Sequence, residues 1–181
     1  MVVVAHSLRL NLGCGEFALG GYWNIDATYF EGVNTVLSVP PLPWPDATIA
    51  EIYCGHFLEH LSEVRGRELL VECYRVLEPG GTLGIVVPDF REVARRYVCA
   101  VEAPFAWADG HHDLRDLDEL CRCVLFSTIQ ASHHLWMYDL VTLRRALERV
   151  GFCVTGEIDR FNDPRLSTPQ WYQTGLDARK A

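Results

Sequence analysis

Short apolar runs alternate along this chain with stretches of helical periodicity, the pattern of an α/β sheet with helices on its faces. Seven segments read as strands: residues 8–12, 22–26, 35–38, 49–54, 82–87, 152–158 and 171–177. Between the fourth and fifth, Leu69, Leu70, Cys73, Val76 and Leu77 fall on one helical stripe, which Pro79-Gly80-Gly81 brings to a stop. A second helix takes Asp139 as its N-cap, turns Leu140, Leu143, Leu147 and Val150 inward and ends at Gly151. Residues 89–134 break the alternation: helical patches at 91–101 and 117–126 flank a polar turn at Asp109-Gly110-His111-His112. That arrangement predicts an insertion over the carboxyl edge of the sheet, carried by a single domain spanning residues 1–181. No internal repeat, low-complexity tract or linker interrupts it.

Composition narrows the picture. A chain of 181 residues, 49% of them apolar, suffices for one core. The Val2-Val3-Val4-Ala5 run is too short for a signal-peptide core, and no apolar stretch is long enough to cross a bilayer, so a cytoplasmic protein without membrane contact is expected. Seven cysteines, odd in number and without C-x-x-C pairs, point neither to a disulfide framework nor to a zinc knuckle; they read as small buried hydrophobes. A net charge of -8 disfavours nucleic acid as a partner, because backbone binding needs a clustered basic face. The sequence does not reveal the oligomeric state.

The richest local signal is Leu10-Asn11-Leu12-Gly13-Cys14-Gly15, followed by Asp26 at the end of the next strand. Two glycines let the backbone turn and approach a ligand closely, while a carboxylate at the neighbouring strand tip can accept both hydroxyls of a ribose. Gly13-Cys14-Gly15-Glu16-Phe17-Ala18 also fits the dinucleotide fingerprint, but that motif opens a crossover helix and sets its acid about 20 residues on. Only residues 16–21 separate this glycine turn from the second strand, too few for such a helix. The reading that follows is a nucleoside corner with one helical wall trimmed.

Six motifs then occur in a telling order: Leu10 to Gly15, Asn24-Ile25-Asp26, Leu42-Pro43-Trp44-Pro45-Asp46, the run from Ile52 to Leu61, Arg75-Val76-Leu77-Glu78-Pro79-Gly80-Gly81, and Ile85-Val86-Val87-Pro88-Asp89. Together they resemble class I S-adenosylmethionine-dependent methyltransferases, most closely the type 11 group, and His134 to Phe152 resembles the same group. The resemblance implies a Rossmann-like, seven-stranded, mostly parallel sheet with a reversed last strand. It implies S-adenosyl-L-methionine as cofactor, held by Asn11, Gly13, Cys14 and Gly15, with Asp26 on the ribose, Ser38 and Val39 beside the adenine, and Cys54 and Gly55 near the methionine end. Ser38 departs from the family, which commonly places an acidic residue there; a hydroxyl accepts the adenine amine more weakly. The implied enzyme moves a methyl group to a small-molecule acceptor, with residues 89–134 as the cap that selects it.

Methyl transfer asks chiefly for alignment and, for some acceptors, removal of a proton. The candidate catalytic residues are His56 after the fourth strand, Asp89 after the fifth, and His134 at the end of the insertion, with Tyr138 nearby; N-capping is an equal alternative for Asp89. Trp107, Trp136 and Phe105 could line an acceptor pocket or simply pack. His56-x-x-Glu59-His60 also matches an inverted zinc-protease pattern, which on a helix would set both histidines on one face. The context of the segment favours the ordinary methyltransferase passage, so no metal ligand is assigned. The alternatives are a metal-dependent hydrolase centred on His56, Glu59 and His60, or a non-catalytic S-adenosylmethionine-binding protein.

Overall fold

The computed structural model describes residues 8–102, 134–158 and 173–181. Its strands are β1 (Leu8–Leu12), β2 (Trp23–Asp26), β3 (Thr35–Val36), β4 (Ile49–Gly55), β5 (Leu77–Pro88), β6 (Phe152–Ile158) and β7 (Gln173–Lys180), with helices α1 (Glu63–Val76), α2 (Phe90–Glu102) and α3 (Leu140–Val150). They form one seven-stranded sheet in the order β3-β2-β1-β4-β5-β7-β6. β1 pairs in parallel with β2 and β4, as do β2 with β3 and β4 with β5. β7 runs antiparallel to both β5 and β6, so it alone is reversed. The strand order switches direction between β1 and β4, and a doubly wound sheet opens its ligand crevice at the carboxyl ends of such a pair.

The elements follow from their residues. Ser62 caps α1 by accepting from the Arg65 N–H, Glu63 opens the helix and Arg75 closes it, so both charges oppose the helix dipole. Leu69, Leu70, Cys73 and Val76 are buried along it, and each fully buried leucine is worth about 1.5–3 kcal/mol. In α3, Asp139 and Thr142 form a reciprocal capping box, and Gly151 ends the helix in the left-handed region. α1 and α3 pack together over a core containing Leu10, Leu12, Ile52, Leu83, Ile85 and Leu176.

β5 is longer than the pattern suggests. It begins at Leu77, directly after α1, and Pro79-Gly80-Gly81 is absorbed as a bulge where the pairing shifts from Ile49↔Leu77 to Glu51↔Thr82. β3 is only two residues long and stops before Ser38. The helical patch at 91–101 is α2, whereas the patch at 117–126, the His111-His112 turn, Phe105 and Trp107 lie outside the described residues, as does most of the insertion.

No helix joins β1 to β2; the link is an irregular loop of residues 13–22. Two buried asparagines fasten it. Asn11 Nδ2 donates to the Phe17 carbonyl (3.1 Å) and to Asn24 Oδ1 (2.9 Å), and Asn24 Oδ1 also accepts the Leu19 N–H at 2.8 Å. Asn24 Nδ2 returns a bond to the Leu19 carbonyl at 3.2 Å. Side-chain amides thus satisfy the backbone groups that a crossover helix would have satisfied internally. Beneath the end of this loop, Tyr22 donates to Glu51 while the Arg9 guanidinium stacks 4.6 Å over the Tyr22 ring. Burial and Glu51 push the Tyr22 hydroxyl up to about 12, so it stays a donor.

Candidate active site

At the carboxyl ends of β1 and β2, Gly13 and Gly15 both take positive φ, +63° and +50°. They serve different ends. A Cβ on Gly13 would overlap the Phe57 ring, so Gly13 lets the segment after β4 close against the turn. A Cβ on Gly15 would meet nothing within 4 Å: its backbone faces open space, a cradle that a side chain would fill. Asp26 ties this turn to the tip of β2, accepting the Gly15 N–H on Oδ2 at 2.8 Å and the Thr28 N–H on Oδ1 at 2.9 Å. Each carboxylate oxygen keeps lone-pair capacity, and the residue is half-buried, at the mouth of the cradle.

The other residues expected at the cofactor fall into two groups. Asn11 and Cys14 are buried beneath the turn: Asn11 fastens the loop, and the Cys14 N–H donates to the Ile25 carbonyl at 3.1 Å. Burial, then the nearby Asp26 charge, raises the Cys14 thiol above its ordinary range, so it is a neutral filler under the cradle. Cys54 is in the core and Val39 packs against that core, while Ser38 is exposed just past β3. Gly55, buried at the end of β4, precedes a sharp turn in which His56 takes φ +50° and donates its N–H to the Val86 carbonyl.

Beyond that turn the candidate catalytic groups separate. His56 is not on a helix; a 3-10 turn, Leu58–His60, follows it. Its Nε2 donates to Gln173 Oε1 at 2.9 Å and its Nδ1 lies 3.3 Å from Glu59 Oε1. His134 reaches the same carboxylate from the other side, Nε2 to Oε1 at 3.9 Å, and its ring meets the His60 ring edge-on with centroids 4.8 Å apart. The Leu135 and Trp136 N–H groups both donate to the Glu59 carbonyl, which fixes the approach of the His134 segment. Asp89 stands apart as the cap of α2, its Oδ1 accepting the Glu92 N–H at 3.2 Å. Tyr138 is buried, and burial followed by the Cys54 and Glu59 charges raises its hydroxyl well above the ordinary range.

Gln173 and Phe57 carry no signal in the sequence. Gln173 reaches His56 from 117 positions away, and a lone glutamine opening a strand has no local spacing to mark it. Phe57 sits inside a recognised motif, yet only the positive φ of Gly13 and the missing β1–β2 helix make its ring a wall of the cradle.

Residues 27–85 match the family model of the methyltransferase domain, type 11. The fold is shared with solved S-adenosylmethionine-dependent methyltransferases. That from Archaeoglobus fulgidus is 17% identical, with 97% of this chain and 87% of that one covered at a TM-score of 0.58. That from Aquifex aeolicus is 16% identical, with 97% and 82% covered at 0.56. The Burkholderia thailandensis 1,6-didemethyltoxoflavin N1-methyltransferase, solved with that compound and S-adenosylhomocysteine, is 15% identical, with 96% and 71% covered at 0.59. No curated protein matches the sequence. The matched segment starts just after Asp26 and runs into β5, so it contains the His56 turn and Glu59 but not the glycine turn. Residues 27–85 thus match a methyltransferase-domain family, and the chain as a whole has the fold of solved S-adenosylmethionine-dependent methyltransferases.

The cradle has the features that S-adenosylmethionine would need: open space over Gly15, and a half-buried carboxylate at Asp26 with capacity for two further donors. When bound, the sulfonium supplies the activated methyl group. No described helix of the protein is long and apolar enough to cross a membrane.

Proposed function

We propose that the protein is a class I S-adenosylmethionine-dependent methyltransferase of the type 11 group that acts on a small-molecule acceptor, brought to the end of β4 from the side of His134 and Trp136. The observation that supports the reading is the apolar surface beside the Glu59 cluster, formed by Pro88, Phe90, Val93, Trp136 and Met137 around a recess of about 10 Å³, room for about one water. Glu59, His134 and Tyr138 are the polar groups that meet it, so an acceptor would rest against this surface rather than fill a preformed cavity. The Burkholderia relative, whose solved complex holds a small heterocycle, supports that class of acceptor.

In this reading Asp26 accepts the ribose hydroxyls and Gly15 gives the backbone room beside the cofactor. Ser38 is exposed beyond β3 on the side where the adenine would lie. Base work, where the acceptor requires it, falls to His56, which Gln173 orients, rather than to Asp89, whose Oδ1 is committed to capping α2. His134 closes the acceptor end, and the insertion at 89–134 selects the acceptor, as loops over a fixed scaffold commonly do. The net charge of -8 sets this reading apart from methylation of nucleic acid.

Transfer of a radiolabelled methyl group from S-adenosylmethionine tests the acceptor class, using total cell extract fractionated into small molecules, RNA and protein. Label in the small-molecule fraction, absent with His56→Ala, is expected. Label confined to RNA or to protein would overturn the small-acceptor reading.

A further inference from the structure

Among the described residues, Glu59 is the one whose buried carboxylate lacks a hydrogen-bond partner on both oxygens. Its side chain is 2% exposed. A buried carboxylate without donors costs several kcal/mol unless a cation meets it. Imidazoles crowd around it: His56 Nδ1 at 3.3 Å and His134 Nε2 at 3.9 Å from Oε1, with His60 against the His134 ring. One ligand atom each from Glu59, His60 and His134 lie within 4.8 Å of one another.

We propose that Glu59, His60 and His134 bind a divalent transition-metal ion. One carboxylate and two imidazoles are the donor set of three-ligand zinc sites, where bonds of about 2.0–2.2 Å require the donor atoms to approach to roughly 3.5 Å. From 4.8 Å that is an inward movement of about 1 Å, within side-chain adjustment. Imidazole nitrogen favours zinc, cobalt and nickel over magnesium or calcium. His56 remains outside the set, its Nδ1 3.3 Å from Glu59 Oε1. A site of three protein ligands keeps a position open, and Glu59 and His134 both line the pocket that also holds Phe90 and Trp136. The ion would therefore hold a hydroxyl or carboxylate oxygen of the acceptor; this role rests on the methyl-transfer reading, whereas metal binding itself does not. The hydrolase alternative drew on His56 and His60 sharing a helix face. His56 precedes the 3-10 turn instead, and His134, 74 positions after His60, takes its place.

Cobalt(II) titration of chelator-stripped protein, read by visible absorption and paired with zinc calorimetry, tests the site. One equivalent should bind with the absorption of a low-symmetry nitrogen–oxygen site. Glu59→Gln and His134→Ala should each weaken binding at least tenfold, and Cys153→Ser, which removes an exposed thiol, should leave it unchanged. Circular dichroism and S-adenosylhomocysteine affinity, both retained in Glu59→Gln, separate loss of ligand from loss of fold. No binding by the wild type, or binding that survives both ligand substitutions, would overturn the site. If cobalt binds and S-adenosylhomocysteine does not, the metal site stands and the transferase reading falls.

Discussion

At the scale of single residues, the two glycines of the turn do unlike work. Gly13→Ala forces a side chain into the Phe57 ring at positive φ, combining backbone strain of about 1–3 kcal/mol with overpacking of similar size. Gly15→Ala carries the strain of about 1 kcal/mol alone, but its methyl group enters the open cradle. Urea unfolding should therefore show the larger stability loss in Gly13→Ala, and calorimetry the larger loss of cofactor affinity per unit of stability in Gly15→Ala. Equal effects of the two on both measurements would remove the distinction. Asn24 offers a second test: Asn24→Ala strands the Leu19 N–H and the Asn11 amide at about 1–3 kcal/mol each. Hydrogen exchange at Leu19 should accelerate well before the sheet amides respond; uniform acceleration would mean that the loop is not separately fastened.

The glycine turn and Asp26 were legible because their chemistry is local: a backbone that must turn and an acid at fixed spacing. Asn11 shows the limit. Its place in the motif points to the cofactor, and its Nδ2 also fastens Phe17 and Asn24 across a loop that has no helix of its own, work that no local pattern announces. Asp89 was open between capping and catalysis, and its geometry is that of a cap.

At the scale of elements, periodicity located every described helix and strand, and its errors lie at the ends. The Pro79-Gly80-Gly81 stop is a bulge because β5 pairs with β4 at Leu77 and again from Thr82 onward, so the strand resumes beyond the irregular residues. Arg75 links elements in a way no local pattern announces: from the last turn of α1 it donates to the Leu42 and Trp44 carbonyls and pairs with Asp46 and Glu72. Two distant motifs of the sequence, Leu42 to Asp46 and Arg75 to Gly81, are thereby one structural unit. Arg75 holds the Glu72 carboxyl below its ordinary value of 4.5, against an opposing effect of burial, with help from the Leu42 N–H. A folded-state value below the unfolded one stabilises the protein above the unfolded value, and that stability is lost as pH falls through the folded value. The gap in thermal midpoint between wild type and Glu72→Gln should accordingly be widest near neutrality and close below about pH 4. A gap that does not change with pH would show that the network contributes no charge-dependent stability.

At the scale of the whole molecule, the reversal of strand order between β1 and β4 gathers the glycine turn, Asp26, the His56 turn and Glu59 at one edge. Sequence separation hid part of that gathering. His134 and Gln173 arrive from the far side of long segments, and only the sheet's closure by reversed β7 brings Gln173 onto His56. In the proposed cradle Asp26 is the one charged anchor for the nucleoside: Ser38, exposed past β3, carries no charge, and no helix joins β1 to β2. The affinity for the cofactor should therefore fall steeply when that single anchor is removed. Hydrogen bonds to a carboxylate are worth about 1.5–3 kcal/mol each.

Calorimetric titration of S-adenosylhomocysteine into wild type and Asp26→Ala measures this most directly. One site in the wild type, weakened at least tenfold by Asp26→Ala with unchanged circular dichroism, is the expected result; absence of binding by the wild type, or equal affinity in both proteins, would contradict the assignment of the cradle.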